Sequence, residues 1–273
     1  MLLAHFTDVH FGCEDRSAIE AATRYVEDHK PDAVIVTGDI SQDGRADELD
    51  AAGEWMRALP APVIVTPGNH DVPYYEPLGR LLYPWTRFRR ATHGLRTEAW
   101  HTPEWSIVPV NTARGWQLRA NWAQGAISRG QTAEAGAELQ KAAPGALRIV
   151  ITHHPLDWPN DAPIKGQTIG GVRGLEALTI SGAELFLSGH LHFAAARLYG
   201  TRALCVSSGT LSQRLRHEPP AFTAIRRPEP NVIETEVLHV VQGRAQSASR
   251  RAFRLAGRGG ADAPAEIHAG ASG

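Results

Sequence analysis

Five short clusters of acids, imidazoles and one amide carry the chemistry this chain can do. They are Thr7-Asp8-Val9-His10, Gly38-Asp39, Gly68-Asn69-His70-Asp71, His153-His154 and Gly189-His190-Leu191-His192. Carboxylate, imidazole and amide oxygen, with no thiolate among them, suit divalent ions such as Mn, Fe, Co or Zn. Asp-x-His and His-x-His are expected to place two donors on one side of an extended segment, because side chains alternate with period two. Glycines before Asp39, Asn69 and His190 allow sharp bends and close backbone approach. Each cluster alone has an ordinary explanation: Asn and Asp suit turns, and a strand-end histidine commonly bonds backbone. Their joint occurrence, always after an apolar run, favours a shared site.

Those apolar runs are LLAHF, DAVIVT, APVIVT, WSIVPV, LRIVIT, AELFLS and ALCVSS, which suit strands buried on both faces. Helical patterns lie between them: SAIEAATRYVEDHK before Pro31, DELDAAGEWMRAL before Pro60, Arg129–Ala143, and a weaker one over Gly174–Gly182. Alternation of strand and helix predicts an α/β domain with much parallel pairing. The five clusters then fall at carboxyl ends of strands, the edge at which open α/β sheets bind ligands. From Ala221 the segments FTAIRR, NVIETEVLHVV and RAFRLA predict antiparallel closing strands through residue 256. The tail from Gly257 is small and polar, and is expected to be disordered, with His268 a solvated bystander.

The 273 residues, 42% apolar and 21% charged, have the composition of an ordinary globular protein that can hold one large core. A formal charge of -1 gives no basic field for nucleic acid as a primary partner. Cys13 and Cys205 are too few for a disulfide framework or a thiolate zinc site. No stretch approaches the ~20 apolar residues of a membrane helix, and no charged leader precedes MLLAHFTDVH, so a cytoplasmic location is expected. No Gly-x-Ser-x-Gly elbow is present to suggest a serine hydrolase.

Residues 72–100 break the alternation with Pro73, Pro77 and Pro84, several aromatics and five arginines, and predict a lid-like excursion of short helices. Its aromatics could stack on a base and its arginines meet phosphates, or the mixture could touch lipid at a membrane surface. The alternative is a lid whose aromatics pack on the sheet and whose arginines pair with acids. Trp116 and Trp122 are open to the same readings, and Arg173 in IGGVRG lacks phosphate-loop spacing.

The set Asp8-x-His10, Gly38-Asp39, Gly68-Asn69-His70-Asp71, His153 and Gly189-His190-x-His192 resembles the five-block signature of the calcineurin-like metallophosphoesterases. The resemblance implies a four-layer α/β/β/α sandwich with two central mixed sheets and a centre of two divalent metal ions. It implies Asp8, His10 and His192 on one metal, Asn69, His153 and His190 on the other, and Asp39 bridging. It also places His70 beside the substrate phosphate as the catalytic histidine, with Asn69 and His192 meeting substrate. Two cations about 3.5–4 Å apart clamp phosphoryl oxygens and bring a bound water towards a pKa of ~7, so hydroxide is the expected nucleophile. Asp71 either orients His70 or caps the following turn. For His154 the pattern is ambiguous, since only His153 matches a ligand position.

Protein serine/threonine phosphatases of this superfamily carry an arginine directly before Gly-Asn-His, where this chain has Pro67. A diester monoanion needs less cationic help than a monoester dianion, so small phosphodiesters are the expected substrates. FTDVHFG, VTGDISQDG, TPGNHD, THHP, SGHLH and the later GTLSQRLRHEPPAFTAI look most like the bacterial cyclic-nucleotide phosphodiesterase branch. The alternatives are a phospholipid- or nucleotide-lipid-directed phosphoesterase or pyrophosphatase, for which peripheral membrane contact would follow, and a phosphomonoesterase.

Overall fold

Short, doubly buried apolar runs end up in two stacked sheets because each face of each strand finds its own partner layer. The computed structural model describes residues 1–117, 121, 123–256 and 265–267. In β1 (Leu2–Phe6), Leu3 points between the sheets, while Ala4 and Phe6 face the helices. β2 (Ala33–Val36) and β3 (Val63–Val65) repeat that division: Ile35 and Ile64 join the inter-sheet core, and Val34, Val36, Val63 and Val65 meet helices. These strands pair in parallel. The helices over them are α1 (Arg16–His29) and α2 (Ala46–Ala58), contributing Ala22, Val26, Leu49 and Met56 to the outer core. The Asp15 carboxylate caps α1 by accepting the Ala18 N–H, and Lys30 in the left-handed region ends it before Pro31.

The second sheet contains β4 (Trp100–His101), β5 (Trp105–Pro109), β6 (Leu147–Ile151), β7 (Leu185–Ser188), β8 (Ala195–Tyr199) and β9 (Ala203–Ser207), in the order β4-β5-β6-β7-β9-β8. Ile107, Ile149, Ile151, Leu185 and Leu187 pack against the first sheet. Val108, Val150 and Phe186 face Leu139, Leu175 and Leu178 of two helices that follow. Those helices are α5 (Arg129–Leu139) and α6 (Gly171–Ile180), giving the expected α/β/β/α layering.

The closing strands β10 (Ala221–Glu229), β11 (Val232–Val241) and β12 (Arg244–Arg254) pair antiparallel and join the first sheet beside β1. Part of the polar tail departs from its expected disorder: β13 (Ala265–Ile267) pairs antiparallel with β12, completing the order β13-β12-β11-β10-β1-β2-β3. His268 lies outside the described residues. The excursion forms α3 (Pro77–Leu82) and α4 (Thr86–Ala91). Phe88 is buried there, whereas Tyr74, Tyr75, Leu78, Leu82 and Tyr83 are exposed. Both cysteines are free, and burial pushes the Cys205 thiol up to about 12. Among the described residues no helix is long and apolar enough to cross a membrane.

Candidate metal centre

All five clusters meet where the carboxyl ends of β1, β2, β3, β6 and β7 face one another across the two sheets. The Asp39 carboxylate links them. Its Oδ2 lies 3.2 Å from His153 Nε2 and 3.9 Å from His10 Nε2, while Oδ1 accepts the His70 backbone N–H at 2.7 Å. On one flank His192 Nε2 is 3.1 Å from Asp8 Oδ1 and 3.3 Å from His10 Nε2. On the other, His153 Nε2 is 3.1 Å from Asn69 Oδ1, and the His153 and His190 rings are 5.2 Å apart.

The convergence does not come from strand alternation, as the Asp-x-His and His-x-His spacing suggests. Asp8, His10, Asp39, His190 and His192 all have φ between 49° and 69°, so the ligand segments are left-handed turns rather than extended chain. Non-glycine residues rarely adopt that conformation, and its concentration here marks a locally strained site held by its surroundings. Close packing of the loops explains two of the glycines. A Cβ on Gly68 would stand 2.1 Å from Asp39 Oδ1, and one on Gly189 would stand 1.8 Å from Thr7 Oγ1.

Backbone and hydroxyl partners aim the donors inward. His153 Nδ1–H donates to the Thr37 carbonyl at 2.8 Å, and His192 Nδ1–H to the Arg214 carbonyl at 2.6 Å, leaving each Nε2 for the centre. Asp8 Oδ2 accepts from Thr7 Oγ1 and the His190 N–H, both at 2.8 Å. Asp8 Oδ1 and His10 Nδ1 are fully buried with no hydrogen-bond partner. Burial opposes ionisation of both aspartates. The neighbouring imidazoles nevertheless win, His192 and His153 for Asp8 and His153 and His70 for Asp39, and hold both carboxyls well below their usual range. Burial lowers His10 and His190 to about 3. His153 rises to about 9 against its burial, because the Asp39 carboxylate is in contact. An orphaned carboxylate oxygen, two imidazole Nε2 atoms in contact and a mixed Asp/His/Asn donor set are what divalent cations resolve, so the residues fit a metal centre.

His154 has other duties. Its Nδ1 meets Thr112 Oγ1 at 3.0 Å and its Nε2–H donates to the Ala123 carbonyl at 2.9 Å, leaving no free ring nitrogen. Asp71 caps the loop and leaves His70 to others: it accepts from the Ser41 and Gly68 N–H groups and from Ser41 Oγ. His70 is instead oriented by the Gln42 carbonyl, which takes its Nδ1–H at 2.5 Å. Its Nε2 accepts from Arg214 Nη1 at 2.9 Å. Arg214 was not singled out by sequence reasoning, although it lies in the GTLSQRLRHEPP segment. Nothing in its local pattern distinguishes it from a surface arginine.

Asn69, His70, His190 and His192 line a cleft of about 270 Å³ together with Trp158 and Arg214. The excursion does not contribute to its lining. Arg87 and Arg90 pair with Glu76 and Asp50, Arg96 lies over Trp100, and buried Arg80 donates to the Gly115 carbonyl. Arg173 lines a different groove, between α5 and α6. Trp116 is exposed, and Trp122 lies outside the described residues.

A four-layer sandwich with an Asp/His/Asn cluster at its sheet edge suits a metal-dependent hydrolase, and the family has to come from the sequence. The family profile described as calcineurin-like phosphoesterase matches residues 1–194, and the chain belongs to that family. Membership of that family supports a hydrolase, and Asp8, His10 and His192, like Asp8, Asp39 and His153, form groups that could hold a metal ion. Among curated relatives, it is 37% identical over 82 residues to the glycerophosphodiester phosphodiesterase GpdQ of Enterobacter lignolyticus, covering 26% of this chain and 30% of that protein. It is 26% identical over 225 residues to a probable cyclic nucleotide phosphodiesterase of Rhodococcus erythropolis, covering 76% and 70%. A Synechococcus protein of the same description matches over 26% of this chain and 31% of its own length, so the chain spans about a third of the first two relatives. In fold it resembles a purple acid phosphatase from yellow lupin, with TM-score 0.65, 12% identity and coverage of 90% and 52%. It also resembles a dimetal phosphatase from Danio rerio, with TM-score 0.62, 13% identity and coverage of 91% and 98%.

Proposed function

We propose that this chain hydrolyses small phosphodiesters, cyclic nucleotides among them, with Asp8, His10 and His192 holding one divalent cation and Asn69, His153 and His190 a second. Asp39 would be shared. The observation that carries this reading is the position of Asp39 Oδ2 between His10 and His153. Bound cations supply Lewis-acid polarisation of the phosphoryl oxygens and activation of water. The chain's own residues do the rest. Asn69, His70 and His192 line the cleft and would orient the phosphoryl group. With Nδ1–H committed to Gln42, His70 in its neutral form accepts at Nε2. It protonates a departing oxygen only as imidazolium, and Arg214 beside it keeps a positive charge and a donor at that place.

Arg214 also revises the substrate argument. Pro67 leaves no arginine before Gly-Asn-His, yet a guanidinium reaches the cleft from another loop, so Pro67 alone no longer separates diesters from monoesters. The diester reading is supported by the relatives, all three of which are named as phosphodiesterases. A second reading, a lipid-linked phosphoester, is favoured by the exposed Tyr74, Tyr75, Leu78 and Leu82 following His70.

The test is a panel of aryl diester, aryl monoester, cyclic AMP, 2′,3′-cyclic nucleotide and UDP-linked lipid on enzyme loaded with Mn, Zn or Fe, with and without vesicles. Preference for the diesters is expected. Preference for the aryl monoester overturns the assignment, and activity only on lipid-presented substrate selects the second reading.

A further inference from the structure

Positive charge gathers on the cleft's outer wall beyond what one reacting phosphate calls for. Arg214, Arg216 and Lys165 all line it, and Asp39, already engaged at the centre, is the one carboxylate in the lining. Several arginines elsewhere are neutralised by carboxylates: Arg87 on Glu76, Arg90 on Asp50, Arg197 on Asp157 and Arg226 on Glu236. Arg214 touches only neutral acceptors, His70 Nε2 and Gln42 Oε1. Among the described residues neither Arg216 nor Lys165 pairs with a carboxylate. Glu218, two residues from Arg216, is directed elsewhere, with Oε1 on the Ala194 N–H and Oε2 3.4 Å from His239.

The loops carrying these cations are braced. A Cβ on Gly166 would stand 2.6 Å from Trp158, so the Lys165 turn lies directly against that indole, whose N–H bonds Thr168 Oγ1 and whose ring meets His190. The Arg214 N–H bonds Ser212 Oγ at one end of its loop, and Glu218 ties down the other.

Charge bookkeeping gives the consequence. Two divalent cations with Asp8, Asp39 and one hydroxide would leave a centre of net charge +1, which already matches the single negative charge of a diester, and Arg214 adds a further positive charge beside it. Two further exposed cations are then surplus to the reacting group. We infer that the Arg216–Lys165 wall is a second anion subsite, and that the preferred substrate is a phosphoester carrying a further phosphate on the part of the molecule that lies along this wall. This rests on the reading of the centre as a diesterase.

The test uses p-nitrophenyl diesters whose second arm is a two- to five-carbon chain ending in either methyl or phosphate. Turnover is measured on metal-loaded enzyme, and binding of the matching hydrolysis-resistant phosphonates is measured by calorimetry. The phosphate-ended arm is expected to gain about tenfold in kcat/KM and in affinity at one arm length, as charge-assisted contacts to a partly exposed wall allow. In K165Q/R216Q that preference should fall to within about twofold, and thermal melting checks that the variant is folded, with K165Q and R216Q as separate controls. Equal turnover and binding of the two arms at every length, or a preference that survives in K165Q/R216Q, overturns the subsite. If neither arm is hydrolysed while the phosphate-ended phosphonate still binds preferentially, and only to the unsubstituted wall, the subsite stands and the diesterase reading falls.

Discussion

The two halves of the centre differ in how far the protein satisfies them by itself. Around Asp8, His10 and His192, a buried carboxylate oxygen and a buried ring nitrogen have no hydrogen-bond partner, and two Nε2 atoms stand 3.3 Å apart. Around Asn69, His153 and His190, His153 already bonds Thr37, Asn69 and Asp39. The first half owns a carboxylate, and the second offers only neutral donors apart from the shared Asp39. More anionic charge and an unsatisfied carboxylate oxygen predict that the first half would be the stronger cation site, since ligand charge tunes affinity. The second has a network that an ion must displace.

Asp39→Asn breaks both halves at once and is the largest effect expected. It should weaken both ions by more than the roughly 10–100-fold typical of losing an outer partner, and abolish turnover with them. Retained turnover at full metal content, measured by elemental analysis beside an activity assay, would contradict the bridging role. Separate changes then sharpen the contrast. Asp8→Asn should remove the tighter of two steps in a calorimetric metal titration, while Asn69→Ala should weaken only the looser one. Loss of the tight step in Asn69→Ala would show that the halves are not ordered this way.

The donors themselves were legible in the sequence because a site of this kind needs rare residue types at strand ends, and apolar runs such as AVIV and LRIVI announce those ends. Helix limits followed from Pro31 and Pro60 to within a residue. What did not show was geometry stored in the backbone: Asp8 and His10 look like alternating strand residues, yet both lie in left-handed turns. Arg214 was equally hidden, since its carbonyl serves His192 and its guanidinium serves His70, and neither long-range contact leaves a local pattern. β13 escaped because a short edge strand on a polar tail draws on backbone pairing rather than on an apolar run.

The close loop packing offers a more modest test. At Gly189 a Cβ would meet Thr7 Oγ1 at 1.8 Å and Asp8 Oδ2 at 2.5 Å, so Gly189→Ala must push on the first half. Overpacking of this kind costs about 3 kcal/mol at the upper end of its usual range. Urea unfolding should show that loss, and the metal titration should show the tight step weakened with the loose step kept. Wild-type stability in the variant would mean that the loops yield easily, and the first half would not be the rigid one.

The smallest effect probes what the halves share. His5 Nε2 bonds Thr37 Oγ1 at 2.9 Å behind the centre, and the Thr37 carbonyl accepts both His153 Nδ1–H and Thr7 Oγ1–H, the latter also bonding Asp8. Burial lowers His5 to about 3, with the Asp8 charge opposing. The unfolded chain, with its histidine near 6.5, therefore binds more protons than the folded one between the two values. Stability is full above about 6.5 and is lost as pH falls towards 3, the loss from this group reaching about 2 kcal/mol by pH 5. His10 and His190 share that sign, so the assignment needs the difference between wild type and His5→Gln, which keeps a donor towards Thr37 without titrating. Urea midpoints compared at matched metal content should converge between pH 7 and pH 5 by that amount. Parallel curves would mean that His5 does not sense acid, and that Thr37 is held from the metal side alone.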